Sequence, residues 1–294
     1  MTALVLTAGG ARGAYQAGVM KRISEIPAFV DQAAPFSIIT GASAGAINGA
    51  AIASQHDNFG VASKLLVKLW ASLEANNVYR SDAFAMMKNA ASLALDFGLG
   101  GLVGAGRVKS LVDSSPLYAF LNQNLKLDGI RRAVKEGGLY ALGITATGYH
   151  TGRAFTFVEG KPGHPLWSKS RRVALPAEIT LPHVLASAAI PIVFPPVELP
   201  AGAASAFFGD GAMRLVTPLS PAIRLGADRL LAVGVRCQES ANSLLRSEWS
   251  QDADFAPNLK RPPLSQICGT LMNAIFLDHL DSDLDHLKRM NSFV

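Results

Sequence analysis

Two strand–turn–helix units follow one another within the first fifty residues, and this repetition constrains the fold more than any other feature of the chain. Leu4, Val5 and Leu6 form a short apolar run that ends at Gly9 and Gly10, and residues 13–23 continue as a helix. After a loop punctuated by Pro27 and Pro35, the β-branched run 36–40 stops at Gly41. Small residues then fill 44–53, as in a helix pressed tightly onto a sheet. Strands alternating with helices imply an α/β layer with a mostly parallel sheet. At 294 residues, with 49% hydrophobic and 17% charged side chains, the chain can bury a large core without a disulfide or metal. No internal repeat or linker interrupts it, so residues 1–294 read as a single domain.

Further along, residues 59–75 carry Leu65, Leu66, Leu69, Trp70 and Leu73 at helical spacing. Residues 139–147 and 153–158 read as two strands around a turn containing Gly148, Thr151 and Gly152, and 230–235 reads as another buried strand. The apolar, glycine-rich stretch 83–106 includes Lys88 and Asp96 and is a poor membrane span. Core packing is the first reading of that stretch, and a lid or lipid-facing flap the second. Residues 238–263 are polar and read as a surface excursion, and 277–290 as a charged amphipathic helix. The start MTALVLTAGGARG has no basic n-region and too short an apolar run for a signal peptide, which favours a cytoplasmic location. The two cysteines, Cys237 and Cys268, match neither a zinc spacing nor a disulfide framework.

Gly41-Ala42-Ser43-Ala44-Gly45 lies between the second strand and its helix. A Gly-x-Ser-x-Gly run in that setting reads as a nucleophile elbow, a sharp turn that strains the serine backbone and tolerates only small neighbours. Ser43 also stands at a helix N-terminus, where the dipole favours negative charge on a reacting oxygen. The turn Gly9-Gly10-Ala11-Arg12-Gly13 opens the first helix and presents unpaired backbone N–H groups. It suits either a phosphate or the oxyanion of an acyl-transfer intermediate. Ala8 occupies the first glycine position of a dinucleotide fingerprint and no clear acidic ribose ligand follows, so the serine elbow nearby favours the oxyanion reading. Asp210-Gly211-Ala212 follows Phe207-Phe208-Gly209 at a strand end, although an Asp-Gly pair alone is a common turn former. None of the six histidines occupies a catalytic setting; His183 lies beside Pro182 and reads as structural, and His279 and His286 as solvated.

In this order, the three motifs resemble the patatin-like phospholipase family, which combines a glycine-rich oxyanion turn, a Gly-x-Ser-x-Gly elbow and an Asp-Gly-Gly/Ala motif. The segment Ala186-Ser187-Ala188-Ala189-Ile190-Pro191-Ile192-Val193-Phe194-Pro195-Pro196 is similar to the family's stretch ahead of its aspartate, and the likeness runs from Leu4 to about Val235. The resemblance implies a three-layer α/β fold with a mostly parallel central sheet flanked by helices. It also implies a Ser43–Asp210 dyad without histidine, working through an acyl-enzyme on lipid esters. Gly9, Gly10, Ala11, Arg12 and Gly13 would form the oxyanion turn, Gly41 and Gly45 the elbow, and Gly211 and Ala212 the acid motif. No cofactor or metal is implied. The sequence departs from the family at Ala8, where many members carry glycine. It departs again at Arg214 and Val216, where many carry small or amide-bearing residues, which changes the expected polarity beside the acid motif.

Two other functions are compatible with these motifs: an acyltransferase using the same acyl-enzyme, and an inactive member that binds lipid or phosphate. The net charge of +5 is spread over small groups, among them Arg131, Arg132 and Lys135, and Lys169, Arg171 and Arg172. This pattern reads first as a solvated basic surface and second as a peripheral contact with anionic membrane; it argues against nucleic acid.

Overall fold

The computed structural model describes residues 1–80, 110, 112–201, 204–235, 263, 267, 269, 270, 274 and 279–292. The two readings at 83–106 and 238–263 lie outside these residues, apart from Pro263, as do both cysteines.

Helices are α1 Gly13–Ser24, α2 Ala44–Ser54, α3 Phe59–Ala71, α4 Ala75–Val78, α5 Ser115–Asn124, α6 Asp128–Glu136, α7 Leu181–Ala188, α8 Ser220–Arg224 and α9 His279–Asn291. Strands are β1 Thr2–Leu6, β2 Ile38–Ala42, β3 Ala141–Gly148, β4 Arg153–Gly160, β5 Ser168–Lys169, β6 Arg172–Pro176, β7 Val197–Ala201, β8 Ala204–Gly209 and β9 Arg229–Val233. The main sheet runs β5-β6-β4-β3-β2-β1-β9, and a β7–β8 hairpin joins it through the end of β3. From β9 through β1 and β2 to β3 every pairing is parallel. Beyond β3 the pairings become mixed, with β3–β4 antiparallel and β4–β6 parallel.

The parallel core follows from side-chain alternation. In β1, Leu4 and Leu6 face the core beneath α1 and α2, whereas Ala3 and Val5 face the opposite layer with Leu219, Ala222 and Leu225. Leu280, Leu284 and Leu287 of α9 pack on that second layer, so the expected amphipathic C-terminal helix is present. All eleven residues of α2 are buried, which its alanines and glycines permit by letting the backbone approach the sheet. The expected helix at 59–75 divides in two. α3 ends at Ala71, and Glu74 caps α4 through a reciprocal exchange with Asn77. Leu65, part of the expected apolar set, is largely exposed, while Phe59, Ala62, Leu66 and Leu69 supply the buried stripe. β2 does not stop at Gly41; it continues through Gly41 to Ala42, which brings Ser43 to its C-terminal end.

A chain of buried amides ties α1, α2 and α3 to the ends of β1 and β9. Gln16 donates to the Thr7 and Val233 carbonyls, both at 2.9 Å. Asn48 donates to Gln16 Oε1 at 2.9 Å and to Gly13 O at 3.0 Å, and itself accepts from Trp70 Nε1 at 2.7 Å.

Candidate active site

Ser43 joins β2 to α2 with φ 55° and ψ −125°, a left-handed conformation that non-glycine residues rarely adopt. The flanking glycines make the turn feasible. A Cβ on Gly41 would collide with the Gly45 carbonyl, and one on Gly45 with the Leu6 carbonyl. Ser187 of α7, wholly buried, links the elbow to the sheet: its Oγ accepts from Ser43 N–H at 3.0 Å and donates to Thr145 O at 2.6 Å. Ser43 N–H is therefore already occupied. The N–H groups of Ala44 and Gly45, in the first turn of α2, have no carbonyl partner among the described residues.

Asp210 follows β8 and is completely buried. Its backbone is held on both sides, with its N–H donating to Ala189 O at 2.8 Å and its carbonyl accepting from Thr147 Oγ1 at 2.7 Å. Its carboxylate accepts from Ala212 N–H at 2.9 Å on Oδ1 and from Ser43 Oγ at 2.6 Å on Oδ2. A Cβ on Gly211 would collide with the Thr145 carbonyl, so only glycine lets the chain pass beside β3 at this point. Burial pushes the Asp210 carboxyl up to about 7, against the opposing pull of the hydrogen bonds from Ser43 and Ala212. The Tyr149 phenol packs against Gly209, and burial together with the Asp210 charge raises its pKa.

The glycine turn stands directly beside the elbow, because Gly13 packs against Ala44 and Trp70. Gly10 has φ 53°, a conformation that glycine supplies without strain. Arg12 N–H donates to Gly9 O at 3.0 Å, and Gly13 N–H turns back to carbonyls of the same short helical turn. The exposed N–H groups of Gly10 and Ala11 have no backbone acceptor among the described residues. The Arg12 side chain is exposed and forms no ion pair among them.

None of the described histidine side chains hydrogen-bonds Ser43 or Asp210. His183 accepts at Nδ1 in the capping box of α7 and lies edge-on to Phe157 at 4.8 Å, and burial lowers its pKa to about 4. His56 bonds Phe36 O at 3.0 Å, and His150 lies by Phe207. Two residues that reach the site had no role assigned from sequence: Tyr149, and Ser187, which stood only within the segment that resembles the family. A serine set among alanines near the end of a small-residue helix was the available signal for Ser187.

A mixed α/β sheet with a parallel core and a strained serine at a strand-to-helix elbow defines the serine-elbow class of α/β proteins. Within that class the chain belongs to the patatin-like phospholipase family, which matches residues 4–223 and so includes both Ser43 and Asp210. No curated protein matches the sequence. Among solved structures, VipD from Legionella pneumophila is similar with a TM-score of 0.42 and 16% identity, over 84% of this chain and 52% of that one. The complex of full-length SpcU with full-length ExoU, from the type III secretion system of Pseudomonas aeruginosa, contains a chain similar with a TM-score of 0.27 and 17% identity, over 54% of this chain and 35% of that one. The chain thus spans about half, or less, of these solved proteins. Among the described residues, no helix is long and apolar enough to cross a membrane.

Proposed function

We propose that this protein is a lipid acyl hydrolase, of phospholipase A or lysophospholipase type, that uses Ser43 as nucleophile and Asp210 as base. The observation that carries this reading is the buried 2.6 Å bond from Ser43 Oγ to Asp210 Oδ2, made by a serine in a strained elbow. Asp210 takes the Oγ proton as Oγ attacks the ester carbonyl, and the carbonyl oxygen becomes an oxyanion. Carboxylates in water are weak bases, but one whose pKa stands at about 7 is matched to proton transfer near neutral pH. The N–H groups of Gly10 and Ala11, and the positive end of α2, are the donors available to the oxyanion. Such donors contribute about 2.7–4 kcal/mol each in other acyl hydrolases. As the tetrahedral intermediate collapses, the alkoxide leaves with the proton from Asp210, and the acyl carbon remains esterified to Ser43 Oγ. Water then gives its proton to Asp210 and attacks the acyl carbon; Ser43 recovers the proton as the fatty acid departs. The lipid ester is reached at a bilayer surface through peripheral contact by the positively charged protein.

Labelling with a fluorescent fluorophosphonate tests this reading. The parent should label, and the Ser43→Ala and Asp210→Ala variants should not. Labelling that survives in folded Ser43→Ala overturns the nucleophile, and labelling at the parent rate in Asp210→Ala overturns the base.

A further inference from the structure

The departure at Arg214 and Val216 and the basic group at Arg171 and Arg172 meet in space. A cleft of about 180 Å³ is lined by Arg171, Arg172, Arg214, Val216, Thr217 and Ser220, among other residues, and no carboxylate among the described residues lines it. Arg172 is held in place by its own hydrogen bonds, donating from Nη1 to Thr217 Oγ1 at 2.6 Å and to Ser220 Oγ at 2.7 Å. Arg214 is anchored by Nε to the Gly152 carbonyl at 2.6 Å, while Arg171 and Arg214 both remain exposed. The acid near Arg172 is Asp283; one of its oxygens accepts from Leu219 N–H, and Arg172 attracts its charge without a direct salt bridge among the described residues. Three guanidiniums around one small cleft repel each other unless an anion joins them, and arginine forks match phosphoryl oxygens.

Strand directions place this cleft at the catalytic end of the sheet. β2 and β3 run parallel toward Ser43, β4 returns antiparallel from Arg153, and β6 starts beside it at Arg172, which pairs with Ala154. Arg172 therefore lies near the level of Ser43 but three strands away, roughly 14 Å at the usual spacing of about 4.8 Å. That separation exceeds the few bonds between phosphate and ester in a glycerophospholipid, so a lipid whose ester lies at Ser43 does not bring its own phosphate to Arg172.

We infer that the cleft at Arg171, Arg172 and Arg214 is a second, non-catalytic site for a phosphoryl group, borne either by a free phosphate or by an anionic lipid. With a lipid phosphoryl in place, the catalytic end of the sheet faces the bilayer. The exposed Val216 at the cleft supplies an apolar contact beside the charge.

The test uses Ser43→Ala protein, so that no lipid is consumed and the outcome does not depend on the hydrolytic reading. Titration calorimetry with inorganic phosphate is compared with co-sedimentation on phosphatidylcholine vesicles containing phosphatidic acid, and on vesicles of matched charge containing phosphatidylserine. Arg171→Gln/Arg214→Gln, at exposed positions, is the test variant, and its unliganded melting curve serves as the check of its fold. Phosphate binding that weakens at least about tenfold in the variant assigns a free-phosphate site. Binding to phosphatidic acid vesicles in preference to phosphatidylserine, lost in the variant, assigns the lipid phosphoryl. Equal binding to both vesicle types without phosphate binding, no binding in either assay, or binding unchanged in a folded variant overturns the inference.

Discussion

Replacing Asp210 by asparagine should stabilise this protein, and the gain should depend on pH. Asparagine keeps the shape, still accepts from Ala212 N–H at Oδ1, and can donate to Ser43 Oγ where the carboxylate accepted. What it removes is the cost of a buried charge. The Asp210 carboxyl rises from 3.8 to about 7 on folding. Because the folded value is the higher one, the stability this group contributes is complete below the unfolded value and is lost as pH rises to about 7. The full loss is about 4 kcal/mol, at roughly 1.4 kcal/mol per pH unit. Between about pH 5 and pH 7 the asparagine variant should therefore gain about 2 kcal/mol on the parent and then hold that lead. For a larger domain this is on the order of 6 °C in melting temperature. Parallel thermal melts across that range measure it, and because other titrating groups are common to both proteins, the difference isolates Asp210. Two melting profiles that stay parallel from pH 5 to pH 8 would refute the argument that burial raises the Asp210 pKa on folding.

Under the proposed mechanism kcat/KM should fall about tenfold per unit below about pH 7, as Asp210 is protonated, and a flat profile down to about pH 5 would exclude a base of that raised pKa. Ser187→Ala leaves Ser43 N–H and Thr145 O without their bridge, so stability should drop by about 2 kcal/mol and fluorophosphonate labelling should slow; labelling at the parent rate would show that the elbow holds its geometry alone. Gly45→Ala drives a methyl group into the Leu6 carbonyl and should cost about 3 kcal/mol or more in a denaturant melt, so a stability equal to the parent would contradict the packing described for α2. His183→Gln should retain labelling, since that ring caps α7 rather than serving Ser43; its loss in a folded variant would reopen the choice of base.

Much of the site was legible in the sequence because backbone geometry dictated residue type. Gly41, Gly45 and Gly211 each stand where a Cβ would enter a neighbouring carbonyl, and such constraints leave a fixed spacing in the chain. The first two βα units were legible for a similar reason, with apolar runs and small-residue helices lying next to each other in sequence. The second half of the sheet was harder to read. β7 contains Pro200, a residue that argues against a strand, yet β7 is paired only with β8 and Pro200 is tolerated there. Long-range contacts left no trace either: Ser187 bonds a residue 144 positions away, and Arg172 meets Thr217 across 45. No local pattern encodes those meetings, so the arginine cleft read as scattered surface charge until the strands were in place.

The amide chain through Gln16 and Asn48 has a handedness of its own. Each carboxamide has one donating and one accepting end, and here Asn48 and Gln16 each donate twice and accept once. Neither group can rotate by half a turn without setting donor against donor, so the chain behaves as a ratchet with a single permitted sense. Its outputs are the carbonyls of Thr7 and Gly13, one on each side of the glycine turn, both drawn inward. The foot of the glycine turn is thus keyed to two core amides, and a silent-looking change such as Gln16→Glu would set carboxylate oxygen against the Thr7 and Val233 carbonyls that the amide now holds.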